Sequence, residues 1–72
     1  MSAAVTVSDY EALLGAAKRH FARAVVINQS SSSPPFPIGH LVATGDRIKL
    51  AERTAKGGCF LAAYRMLQGV AS

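Results

Sequence analysis

The chain has 72 residues, half of them hydrophobic, and its eight Lys and Arg against four Asp and Glu give a net charge of +4. A single domain of this size buries only roughly 60–65% of the surface that its unfolded form exposes, and the hydrophobic content argues against disorder throughout. One cysteine, Cys59, rules out a disulfide within one chain. Further burial is therefore expected from a second molecule, and the positive charge favours an acidic one.

In chain order, residues 1–7 (MSAAVTV) carry neither a basic n-region nor a long apolar core, so no signal peptide is read there. The longest apolar and glycine stretch, residues 57–64, ends at Arg65, far short of the ~20 residues needed to span a bilayer. A soluble, cytoplasmic protein without a membrane partner is the expectation. Ser8-Asp9-Tyr10-Glu11 reads as a capping box that starts the first helix, with Ser8 as N-cap. Tyr10, Leu13, Leu14, Ala17, Phe21, Ala24 and Val25 recur at spacings of three and four, which gathers them on one face. The helix is predicted over residues 8–28, its last turn weakened by the β-branched run Val25-Val26-Ile27.

Residues 29–37 (QSSSSPPFP) cannot continue that helix, because the serines bond local backbone and the prolines lack amide hydrogens. They form a connector, with Phe36 as a peg packing onto the helices and the serine run suggesting mobility. Residues 38–44 are expected as a short turn or helix, followed by a break at Gly45. The alternative is an α+β chain with a short hairpin at 40–50, since Ile48 and Leu50 alternate with basic residues after Thr44-Gly45-Asp46. The helix formers of residues 49–56 (KLAERTAK) favour a second long helix over 46–68 instead. Gly57 and Gly58 in its middle would each cost roughly 1 kcal/mol against alanine. They mark either a break or a close approach of another backbone.

On a continuous second helix, Ile48, Ala51, Ala55, Cys59, Ala62 and Met66 form the core face, and Lys49, Arg53, Lys56, Phe60, Tyr64 and Leu67 form an opposite stripe that is basic and then apolar. The expected fold is all-α: an antiparallel helical hairpin with a Pro/Ser-rich connector, doubled into a dimeric four-helix bundle if that stripe self-associates. The candidate partner-binding residues are the six of the stripe, because contiguous exposed apolar side chains mark interaction surfaces.

His20, His40 and Cys59 lack the spacing of a metal site. A nucleophile set of Cys59, His40 and Asp46 can be drawn on paper, but nothing in the spacing selects it. Gly57-Gly58 beside Lys56 lacks the order of a phosphate-binding loop. No catalytic residue, metal, cofactor or small-molecule substrate is assigned. The sequence favours a small non-enzymatic protein-binding module, an inhibitor, adaptor or assembly subunit meeting an acidic protein surface, with a homodimer as a further partner. Its size and charge resemble those of accessory proteins of mobile elements, an analogy that carries no residue. The alternative is a nucleic-acid-binding protein of low sequence specificity that uses the basic residues on phosphates.

Overall fold

The structure, a computed structural model, describes residues 5–71. It holds three α-helices and, among the described residues, no strand: α1 (Val7–Ser30), α2 (Ile38–Lys56) and α3 (Phe60–Ala71). The all-helical class expected from the sequence is present, and the hairpin at 40–50 is not formed.

Helix α1 begins earlier than the sequence reading placed it. Thr6, not Ser8, is the N-cap: the Asp9 amide donates to Thr6 Oγ1 at 3.0 Å and the Thr6 amide donates to Asp9 Oδ2 at 3.2 Å. Two S/T-x-x-D/E sequences overlap here, and the earlier one satisfies the same kind of end amides while lengthening the helix. The β-branched run does not stop the helix. It continues to Ser30, whose hydroxyl donates to the carbonyl of Val26 at 2.8 Å.

The connector is correspondingly shorter than residues 29–37, and one side chain anchors it. Asn28, the only buried polar residue among those described, donates from Nδ2 to the Phe36 carbonyl at 2.6 Å and accepts the Phe36 amide on Oδ1 at 3.0 Å. Phe36 is thereby held half-buried, and its ring stacks on that of His40 with centroids 6.2 Å apart and planes 15° from parallel.

Helix α2 runs through Gly45 without the expected break. A Cβ at that position would lie 3.2 Å from Cζ of Phe21, so the glycine is where the ring of α1 presses against α2. The turn-like Thr44-Gly45-Asp46 is overridden by that contact and by the helix formers that follow. Thr44 is accommodated by donating to the carbonyl of His40 at 2.9 Å.

The break falls at Gly57 and Gly58 instead. The Cys59 amide donates to the Thr54 carbonyl at 3.1 Å and the Gly58 amide to the Ala55 carbonyl at 2.9 Å, the paired bonds of a Schellman motif. Gly58 has φ +95°, a conformation that side chains with a Cβ rarely adopt. The single helix over 46–68 is therefore two helices, and Cys59, expected on a core face, is exposed in the turn between them.

Tyr10 meets Phe60 edge-on, centroids 5.6 Å apart, near the starts of α1 and α3. Ala24 and Val70, near the ends of those helices, border the same groove. Helices α1 and α3 thus run in one direction and α2 runs back between their ends. Helix α3 packs about equally on both neighbours, which touch each other less. The core is built from Tyr10, Ala17, Ile48, Ala51, Ala55, Ala63, Leu67 and Val70, with Leu13, Leu14, Phe21, Phe60 and Met66 packed around it. Its alanines let the backbones approach closely, and Leu67 is the one large side chain sealed completely among those described. The chain supplies three helices rather than the two of the expected hairpin.

Burial raises the Tyr10 hydroxyl above its ordinary value, and the nearby Glu52 carboxylate adds to the shift. In the unfolded chain this tyrosine ionises near pH ~10, while in the folded chain it stays protonated to higher pH. Stability assigned to it is therefore complete below pH ~10 and is lost as pH rises through the folded value.

Two expectations follow from these contacts. Thr6→Ala destabilises by about 1 kcal/mol while Ser8→Ala stays within about 0.5 kcal/mol, as read from urea denaturation. Tyr10→Phe gives a stability that declines less between roughly pH 9 and 11 than that of the wild type, as read by the same denaturation repeated across that range.

Candidate functional site

The six residues of the expected stripe do not share one surface. Lys49, Arg53 and Lys56 are exposed on α2, whereas Phe60 and Tyr64 are half-buried on α3, Phe60 against Tyr10, and Leu67 is 0% exposed. The turn at residues 57–59 reverses the chain after Lys56, so the apolar half of the stripe folds back onto α1 and α2. Within α3, Ala63, Leu67 and Val70 are buried and Phe60, Tyr64 and Met66 half-buried, so much of its apolar surface is covered within the chain itself. Leu61, at 51% exposure, is its main apolar side chain left in solvent.

A different apolar group joins the three cations. At 100° per residue, Ile38, Val42, Asp46, Lys49, Arg53 and Lys56 recur every three or four positions along the outward side of α2, opposite the buried Ile48, Ala51 and Ala55. All six are exposed, Ile38 at 72% and Val42 at 57%. The outward stripe is thus apolar in its first half and basic in its second. The spacing is present in the sequence, but a helix started at residue 46 separates Ile38 and Val42 from the cations that follow them.

Beside this stripe a groove of about 430 Å³ runs along the junction of α1 and α2, with Phe21, Leu41 and Ile48 lining its wall and Val42 and Lys49 at its rim. Lys18 and Glu52 also border it, paired at 3.1 Å with about half of each side chain in solvent. Such a pair contributes little to stability. A second groove, of about 410 Å³, lies where α3 ends, between His20 of α1 and His40, Thr44 and Arg47 of α2.

The other basic residues are dispersed. Arg19 and Arg23 are exposed on α1 and Arg65 on α3, so the three cations of α2 are the longest run on one face. Cys59 and His40 lie near opposite ends of α2, separated by about 24 Å of helix rise, so the paper set of Cys59, His40 and Asp46 is not brought together. Among the described residues no three His, Cys, Asp or Glu side chains are grouped to hold a metal ion, and no helix is long and apolar enough to cross a membrane. No protein-family model, curated protein or solved structure matches the chain.

Buried and outward positions separate by mutation. Leu67→Ala costs about 2–5 kcal/mol, a large share of the total for a domain of this size. Val42→Ala changes stability by no more than about 0.5 kcal/mol. Denaturant midpoints of the two variants check both values.

Proposed function

We propose that this protein is a small non-enzymatic protein-binding module, an inhibitor, adaptor or assembly subunit, that docks on an acidic partner through the outward stripe of α2. The observation that carries the reading is the exposure of Ile38 and Val42 on the same helix face as Lys49, Arg53 and Lys56. An exposed branched apolar side chain gains about 25 cal/mol per Å² when a partner covers it, and the groove beside Val42 offers room for one apolar side chain of the partner. The cations contribute mainly to the rate and orientation of encounter. Of the six residues that the sequence singles out, Lys49, Arg53 and Lys56 keep their proposed role directly. Phe60 and Leu67 serve it indirectly, as part of the packing that holds α3 in place, and Tyr64 is half-buried on the same helix.

A homodimer through the same stripe is the weaker option, because pairing two such faces brings like charges together. A cytoplasmic setting belongs to the same reading, consistent with one exposed, unpaired cysteine. The basic run also favours a second reading, low-specificity binding to nucleic acid. There, replacing a cation that neutralises a phosphate would flatten the dependence of affinity on salt.

The test is chemical cross-linking in the native host followed by calorimetric titration of the purified partner. The double variant Ile38→Ser, Val42→Ser is expected to weaken binding about tenfold or more, equivalent to about 1.4 kcal/mol. Lys49→Glu with Arg53→Glu is expected to slow association and reduce its salt dependence. Unchanged affinity in the first variant removes the stripe as the docking face. Micromolar binding to duplex DNA at physiological salt, with a slope that the second variant flattens, replaces the protein partner with nucleic acid.

A further inference from the structure

Beyond the end of α3 the α1–α2 hairpin has no third helix over it, and the groove of about 410 Å³ opens there. It shares Phe21 and Leu41 with the groove beside Val42 but none of the cations of the outward stripe. Its occupant is therefore independent of the docking reading above.

The groove has a consistent chemical character. Its titratable lining groups are His20, His40 and Arg47, and among the described residues no carboxylate borders it. Arg47 forms no ion pair among the described residues. Its guanidinium lies across α3, where a Cβ on Gly69 would come within 3.3 Å of Nη1. The remaining lining is largely apolar, with Phe36 stacked on His40 as one wall. That wall is set in advance, because the buried Asn28 amide fixes the Phe36 backbone from both sides. A pre-positioned aromatic surface beside a guanidinium that has no ion-pair partner among the described residues is the complement of a ligand with one negative end and an apolar body.

We propose that this groove binds an organic monocarboxylate with an aromatic or aliphatic body. Arg47 takes the carboxylate through its planar fork, and the Phe36–His40 stack and Phe21 take the body. The same chemistry is carried by a free small acid and by the C-terminal carboxylate of a peptide ending in phenylalanine.

Heteronuclear NMR titration of the full chain tests this with 3-phenylpropionate, the neutral 3-phenylpropionamide, and a short peptide ending in Phe as acid or amide. A ligand of this size is expected to bind with a dissociation constant on the order of millimolar. Saturable shifts should centre on His40, Thr44, Arg47, Gly69 and Val70. The amide should bind about fivefold more weakly or worse, as should the acid to Arg47→Gln, while Arg65→Gln, which removes an exposed cation outside both grooves, binds as the wild type does. Gly69→Ala keeps the charge and the helix and makes the guanidinium give by only a few tenths of an ångström, so it should weaken the acid less than Arg47→Gln does. Tighter binding of the peptide acid than of phenylpropionate identifies a chain terminus as the source, and the reverse identifies a free acid. Equal binding of acid and amide, shifts centred on the outward stripe, or no saturation overturns the proposal.

Discussion

The arrangement depends on the backbone reversal at Gly57, Gly58 and Cys59. With φ +95° at Gly58 and both Schellman bonds made, the last carbonyls of α2 are satisfied within the turn and α3 starts immediately afterwards. A helix continued straight through would carry Phe60, Tyr64 and Leu67 away from α1 and leave them in water. The turn instead places Leu67 and Val70 between α1 and α2 and lets Phe60 reach Tyr10. A few residues of loop conformation thus convert a strongly apolar segment from a surface into a core.

Close packing then follows from side-chain size. Ala17, Ala51, Ala55 and Ala63 sit where the three helices converge, and interiors tolerate little unfilled volume. Gly45 extends the same device along the α1–α2 contact by receiving the Phe21 ring. A small core of this kind buries modest apolar area per residue, so its end caps and its few specific hydrogen bonds carry a larger relative weight than in a bigger domain. The Thr6–Asp9 cap and the Asn28 clamp are both of this type.

The inward faces are legible in the sequence because they are periodic. Tyr10, Ala17 and Ala24 on α1, and Ile48, Ala51 and Ala55 on α2, are buried where three- and four-residue spacing puts them. The glycines are not legible, because their roles are set by tertiary neighbours or by a backbone angle that composition does not encode. Gly45 looks like a turn residue until the Phe21 ring is placed beside it. Gly57-Gly58 reads equally as a flat spot or as a break until the chain on either side has something to pack on. Asn28 lies eight residues from the backbone it holds, beyond the reach of any helical period. The outward surface is hidden for the same reasons. Its cations stand out in the sequence, but its apolar half precedes them rather than follows them, and a helix start at residue 46 cuts Ile38 and Val42 away.

Unequal helix lengths account for where the remaining surface lies. At 1.5 Å per residue α1 is about 36 Å long and α3 about 18 Å, in a molecule 46 Å in its longest dimension. The half built from three helices contains most of the core, and the half beyond α3 is a two-helix hairpin whose flanks cannot all be covered. Of the large hydrophobic side chains left exposed, Val26, Ile27, Ile38 and Val42 flank the connector in that second half, as does the Phe36–His40 stack. Local stability is expected to fall in the same direction, since fewer buried contacts hold that end together, and binding surfaces are commonly drawn from such regions. The Asn28 clamp opposes that trend by restricting the connector, which lowers the ordering cost for any ligand that uses the hairpin end. A two-helix end that is open but restrained is thus a direct consequence of a short third helix set on a longer pair.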